Sequence, residues 1–202
     1  AGRRLPPVLR PLAGGLGVWV LGAGVFLATG RLGVFSLGSD DLADALAGNL
    51  AWRVALLLLL AKLAATAIAY AWGGCGGIFA PTLFFGAMAG LVVAGAVSAL
   101  GLALDADTSL LLALVGMSAC FGAVVRAPLT ALLMVFEMTH RYETVPALMI
   151  GMVVSQSLAR LFGGPFNFYD AILWQDGVIL AGTPRKARAA APPPQNHGKN
   201  KA

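Results

Sequence analysis

The longest run of residues without a formal charge sets the strongest limit on how this chain folds. Residues 63–104, 42 in succession, contain no Asp, Glu, Lys or Arg, and further uncharged runs cover 11–30, 108–125 and 144–159. A membrane-spanning helix needs about 20 mostly apolar residues at about 1.5 Å of rise each. Because a soluble core of this size does not need 42 uncharged residues in a row, the sequence predicts a multi-pass helical membrane protein.

Composition supports the same class and shows where the charge lies. Hydrophobic residues make up 58% of the chain and charged residues 11%, whereas a typical soluble domain is about a quarter charged. The net charge of +5 lies in residues 181–202, because residues 1–180 hold nine bases and nine acids. We therefore predict a neutral membrane domain over 1–180 and a disordered basic tail over 181–202. A nucleic-acid-binding role is disfavoured, since it needs a basic folded face.

Apolar runs interrupted by Gly and Pro predict both full-length and short helices. The predicted segments cover about 11–30, 50–72, 78–100, 109–124, 129–139 and 144–162. Ser39 and Asp40 are predicted to cap a short helix after the first span. Broken helices at membrane depth are tolerated only where protein buries them or where they line a cavity. A signal peptide over 3–30 is the alternative for the first span, but its apolar part is too long.

One predicted helix start has the features of an anion site. The segment Gly76-Gly77-Ile78-Phe79-Ala80-Pro81 lies inside the 42-residue uncharged run. Glycines let the backbone turn sharply and approach a ligand, and proline suits the first turn of a helix. The first N–H groups have no intrahelical partner and lie at the positive end of the helix dipole, so they can bind an anion without a basic side chain. These residue types alone leave open a plain helix start capped by water or a neighbour.

Four polar side chains are further candidates for a functional or structural role. The hydroxyl of Tyr169 can donate to an anion, although Tyr169 taken alone fits an interfacial tyrosine better. Lys62, inside the second span, is predicted to snorkel or to form a structural pair, with an ion-pathway role as the less favoured alternative. Arg126 and Glu137 are assigned to structural contacts, with proton transfer by Glu137 as the alternative.

The remaining candidates predict packing rather than chemistry. The Gly86–Gly90 motif permits two helices to approach closely, and we expect this contact within one subunit. Cys75 and Cys120 are predicted to be packed free thiols, and neither His140 nor His197 has a metal-ligand spacing. With no nucleophile–base pair and no metal cluster in the sequence, we expect neither an enzyme nor a bound cofactor.

Three motifs together resemble the C-terminal half of the membrane domain of CLC chloride channels and chloride/proton antiporters. They are GGIFAP at 76–81, VRAPLTALLMVFEMT at 125–139 and GGPFNFYDAIL at 163–173. The resemblance covers most of residues 5–180. It implies an all-α, multi-pass fold with broken and short helices, the second half of an inverted-repeat architecture.

The resemblance also implies a function and the residues that perform it. Chloride would be the transported substrate. The backbone amides of Ile78 and Phe79 would bind the central anion, Gly77 and Ala80 would complete the helix start, and the hydroxyl of Tyr169 would donate to the same ion. Whether transport is that of a channel or of a proton-coupled antiporter stays open.

The resemblance further implies partners and a location. It predicts a homodimer in the lipid bilayer, with the helices of about 129–139 and 144–162 at the interface. A bacterial-type plasma membrane is expected, with the tail on the cytoplasmic side by the positive-inside rule.

The family's GSGIP and GREGP-type motifs, which carry an anion-binding serine and a gating glutamate, do not occur in the 202 residues. The chain is therefore expected to lack the N-terminal half and to be incompetent alone. The alternatives are a non-transporting truncated or assembly subunit of a split membrane protein, and a fluoride-exporting relative, against which Tyr169 argues.

Overall fold

The computed structural model describes residues 9–35, 38–72, 77–102 and 104–163, and all regular structure within these ranges is helical. This confirms the predicted all-α class, which follows because a lipid environment requires each backbone polar group to be satisfied internally. The elements in chain order are α1 Leu9–Thr29, α2 Ser39–Leu46, α3 Trp52–Ala71, α4 Phe79–Ala99, α5 Ala106–Val125, α6 Pro128–Thr139, the 3-10 turn Tyr142–Thr144 and α7 Val145–Gly163.

Five of these helices are long and apolar enough to cross a membrane. The spans are Pro11–Thr29, Trp52–Ala71, Phe79–Ala99, Ala106–Val125 and Tyr142–Leu161. The sixth apolar helix, α6, is too short to cross, as its sequence predicts. The predicted multi-pass architecture is therefore confirmed, and the predicted ends differ from the observed ones by a few residues.

The short helix α2 is present, but the prediction that Ser39 and Asp40 cap it was wrong. Gly38 occupies the N-cap with φ 79° and ψ 21°, and Ser39 is the first helical residue. A Cβ at position 38 would lie 2.7 Å from the Phe84 ring and 3.0 Å from Nζ of Lys62. Glycine meets both the left-handed backbone and the close approach, so contact with α3 and α4 sets where α2 begins.

The Gly86–Gly90 motif packs α4 against α5 within the chain, as predicted. A Cβ at Gly86 would lie 2.6 Å from Cα of Met117, and a Cβ at Gly90 would lie 2.7 Å from Cα of Ala113. The contact is reciprocal, because Gly116 of α5 faces the backbone of Gly86. The two helices run antiparallel with their backbones nearly touching, so the contact depends on small residues rather than on interlocking side chains.

Helix α4 is the central element of the described chain. Half of its span is buried, compared with 17% of the spans formed by α1 and α7. It contributes to two core clusters on different sides. The first contains Leu42, Leu83, Ala87, Leu114, Met117, Phe121, Ala131, Val135, Leu148 and Met152. The second contains Ala45, Leu50, Ala55, Leu58, Phe84, Met88, Leu91 and Ala113.

The ends of three helices meet where α4 begins. Trp52 at the start of α3 lies against Gly95 near the end of α4, so α3 and α4 run antiparallel, as α4 and α5 do. The C-terminal ends of α3 and α5 therefore lie level with the N-terminal end of α4. Helix α5 ends at Val125, where Arg126 takes φ 56°, and α6 begins at Pro128, one residue before its predicted start.

Candidate functional site

The predicted helix start at GGIFAP is the start of α4. Ile78 is the N-cap and Phe79 the first helical residue. The helical hydrogen-bond ladder begins with the amide of Thr82, which donates to the carbonyl oxygen of Ile78 at 3.0 Å. Pro81 has no N–H, so the amides of Ile78, Phe79 and Ala80 are the donors without an intrahelical acceptor. This geometry assigns three backbone donors to the residues that the sequence singled out.

Exposure changes abruptly along this first turn. Gly77 is exposed and Phe79 keeps 39% of its surface exposed, whereas Thr82 is 4% exposed and Phe84 fully buried. The Phe79 ring packs edge-on against Phe121 of α5, with ring centroids 4.8 Å apart. The helix start therefore lies at an open face of the described chain, while the next turn anchors it in the core.

An apolar cavity of about 300 Å³ lies beside the helix start. Its walls come from α3, α4 and α5 and include Leu63, Thr66, Ile78, Pro81 and Val124, and none of the described residues that form them is charged. In such surroundings the positive end of the α4 dipole is weakly screened. The described part of the site can therefore attract an anion through partial charges alone.

Several other candidates have a definite position or lie outside the described residues. Outside the described residues lie Tyr169, Gly76, Cys75 and His197. The distance between Tyr169 and the start of α4 is therefore untested. His140 is the C-cap of α6.

Cys120 is a free thiol on α5, as predicted. Arg126 is half-buried at the end of α5, and Glu137 is exposed on α6. Within the described ranges, no three His, Cys, Asp or Glu residues come together as a metal site.

Lys62 points into the protein, so it does not snorkel as the sequence allowed. Only 5% of its surface is exposed. Its ammonium donates to the carbonyl oxygen of Gly33 and lies 4.4 Å from the ring centroid of Phe84. These two contacts join the loop after α1 to the second turn of α4.

Sequence reasoning missed an ion-pair cluster next to Lys62. Nη1 of Arg31 lies 2.8 Å from Oδ1 of Asp41 and 2.8 Å from Oδ2 of Asp44. The hydrogen bond to Asp41 is the main cause that raises the pKa of Arg31. In the sequence, the acidic residues within 40–44 follow a lone arginine at 31, which could have indicated the ion pairs. That these pairs lie near Lys62 depends on how the chain folds back on α3.

Comparisons with known proteins agree with the fold and with the motifs. The model of the voltage-gated chloride channel family matches residues 2–160. A ClcB-like chloride channel protein of Ralstonia nicotianae is 36% identical over 169 residues, which cover 84% of this chain and 38% of the relative. An H(+)/Cl(-) exchange transporter ClcA of Klebsiella pneumoniae is 34% identical over 191 residues, which cover 91% of this chain and 39% of the relative.

A third relative, the voltage-gated ClC-type chloride channel ClcB of Yersinia pseudotuberculosis, is 39% identical over 101 residues, covering 50% of this chain and 24% of the relative. The chain thus spans about two-fifths of the length of the Ralstonia and Klebsiella relatives. The family match extends over most of the chain and includes the α4 start. This multi-pass membrane protein therefore belongs to the voltage-gated chloride channel family.

Proposed function

We propose that the chain forms part of a pathway that carries chloride across a membrane. The observation that carries the proposal is the start of α4, where three backbone amides lack intrahelical acceptors and where Ile78 and Pro81 line a cavity whose described walls carry no charge. An anion held by partial charges is bound weakly enough to be released, as conduction requires. A lysine at the same position would hold the anion more strongly.

In this proposal each residue at the helix start has a distinct role. The amides of Ile78 and Phe79 donate to the anion, and the amide of Ala80 adds to the positive potential of the first turn. Gly77, which has no neighbour within 4 Å of a Cβ position, leaves room for the ion to approach. The hydroxyl of Tyr169 supplies a donor from the segment after α7.

The proposal leaves the mode of transport as channel or proton-coupled exchange. A relative named as a chloride channel and one named as a chloride/proton exchange transporter match the chain to similar extents. In the proposal the chain acts together with the further length that its relatives have, because the GSGIP and GREGP-type motifs do not occur in it. A non-transporting assembly subunit is the second candidate.

The proposed homodimer comes from the family resemblance, and its predicted interface helices α6 and α7 expose apolar side chains that could pair. Leu129, Leu133, Ile150, Val153 and Leu161 all keep more than half of their surface exposed. Two copies that paired through this face would bury large apolar side chains at a subunit interface. The proposed setting is a bacterial plasma membrane with the basic tail on the cytoplasmic side, supported by the positive-inside rule and by the bacterial relatives.

Chloride flux tests the proposal. The full product of the gene that encodes this chain is reconstituted in liposomes, and efflux is followed with a chloride electrode. Tyr169→Phe should reduce chloride affinity by about tenfold or more, since a hydrogen bond to a charged group contributes about 1.5–3 kcal/mol. Tyr142→Phe is the matched control, because Tyr142 is 78% exposed and far along the chain from α4.

Two results bear on the alternatives. No chloride flux from the full gene product would contradict the proposal and favour the assembly subunit. Vesicles that contain only residues 1–202 should carry no flux, and measurable efflux from them would overturn the claim that the chain needs a further segment.

A further inference from the structure

Thr82 is a buried polar side chain at the end of the first turn of α4. Only 4% of its surface is exposed, and it lies in the wall of the apolar cavity beside the helix start. Burying a hydroxyl is costly unless it is hydrogen-bonded. A valine would fill the same space without a hydroxyl, so the hydrogen bond that the hydroxyl makes indicates what Thr82 contributes here.

The hydroxyl of Thr82 donates to the backbone of the helix start. Its Oγ1 lies 2.8 Å from the carbonyl oxygen of Phe79. An α-helix already supplies such a carbonyl with one donor, the amide four residues later, so the hydroxyl is a second donor to an oxygen with two lone pairs. The Phe79 carbonyl and the Ala80 amide belong to one planar peptide unit. A donor that holds this oxygen therefore also fixes the direction of the Ala80 N–H.

The peptide unit that ends at Ala80 depends on this bond more than the unit before it. Phe79 is anchored by its ring, which packs edge-on against Phe121, whereas the side chain of Ala80 is a single methyl group. Pro81 comes next and has no N–H to offer. The Ala80 amide has no intrahelical acceptor. A hydrogen bond to the carbonyl of its own peptide unit polarises this N–H and strengthens it as a donor by about 10–30%.

We propose that Thr82 is a positioning residue for the anion: its hydroxyl, bound to the Phe79 carbonyl, orients and polarises the Ala80 amide at the helix start. The proposal rests on the proposed function of that helix start. Thr82 does not touch the anion in this arrangement, because its hydroxyl is donated to the backbone. Strengthening the interaction of one amide with a charged group by about 10–30% changes anion affinity by about two- to threefold.

Chloride titration of the full gene product in detergent, measured by isothermal calorimetry, tests the proposal. Thr82→Val, which keeps the branched shape and removes the hydroxyl, should weaken chloride binding by about two- to threefold. Thr82→Ser should bind chloride as the unsubstituted protein does, because it retains the hydroxyl. Thr66→Val is the matched control. Thr66 lines the same cavity, but its hydroxyl donates at 2.8 Å to the carbonyl of Lys62 within α3, so its loss should leave chloride affinity unchanged.

Affinity and stability measured together separate positioning from packing. Both valine variants lose one bond from a hydroxyl to the backbone, so their melting temperatures should fall to a similar extent. Equal chloride affinities for Thr82→Val and Thr82→Ser, or an equal loss of affinity in Thr66→Val, would overturn the proposal. If Thr82→Val does not fold, Thr82→Cys takes its place, because a thiol is a weaker donor, and an affinity equal to that of Thr82→Ser then decides against the proposal. Absence of chloride binding in the unsubstituted protein would instead contradict the proposed function.

Discussion

The backbone amide of Phe79 offers the most direct test of the helix-start site. Replacing the peptide bond between Ile78 and Phe79 by an ester removes one N–H and leaves every side chain in place. Because the helical ladder begins only with the amide of Thr82, this change removes no helical N–H donor, and it weakens only the Ile78 carbonyl as the acceptor of that first bond. The edge-on contact between Phe79 and Phe121 is also retained.

The expected magnitude follows from the number of donors. A hydrogen bond to a charged group contributes about 1.5–3 kcal/mol. In the proposed site the anion is shared among the amides of Ile78 and Phe79 and the hydroxyl of Tyr169, so the lower value applies. A loss of about 1.5 kcal/mol weakens chloride binding about tenfold. The melting temperature should stay close to that of the unmodified protein.

The assay is calorimetric titration of chloride, with a matched ester one helical turn further on. An ester at Thr82 removes the 3.0 Å hydrogen bond to the carbonyl of Ile78, which should reduce stability by about 0.5–1.5 kcal/mol and leave affinity nearly unchanged. The ester at Phe79 should therefore mainly lower chloride affinity, whereas the ester at Thr82 should mainly lower stability. Equal chloride affinities for the two esters would refute the assignment of the Phe79 amide to the anion.

Two further predictions concern packing and assembly. Gly86→Ala should destabilise the protein by about 1–3 kcal/mol, since the new methyl group would force α4 and α5 apart; thermal unfolding in detergent measures it, and Gly24→Ala, with open space at Cβ on α1, should leave the melting temperature unchanged or raise it. Val153→Cys on the exposed face of α7 should form an oxidative cross-link between two copies in membranes, whereas Trp19→Cys on the exposed face of α1 should not. Equal cross-linking at both positions would contradict the proposed interface.

Much of the helical layout is predictable because its signals are local. Apolar length predicts a span, and the Gly and Pro residues around 76–81 and 126–128 predict where helices start and stop. The prediction failed at Ser39, because a tertiary contact, and not a local capping preference, sets where α2 begins. Gly38 begins α2 because the chain there lies against Phe84 and Lys62.

The candidate site also has a part that local sequence predicts and a part that depends on tertiary contacts. The residues of the α4 start were predictable, since glycine, proline and missing charge all occur within one short segment. The environment of Lys62 was not predictable, because its partner Gly33 is 29 residues away in the chain. The same holds for the pairing of Arg31 with Asp41 and Asp44, which depends on the path of the loop between α1 and α2.

The sequence alone therefore determined the class of protein and the ends of most helices. An uncharged run long enough to cross a bilayer must form helices, because each backbone polar group there needs a partner within the protein. The tertiary structure alone decided which faces meet. Helices that are apolar all round have no polar stripe to orient them, so only close packing at Gly86 and Gly90 places α4 between two core clusters. That placement sets Ile78 and Pro81 of the helix start beside a cavity formed with α3 and α5, and it sets the Phe84 ring against the ammonium of Lys62.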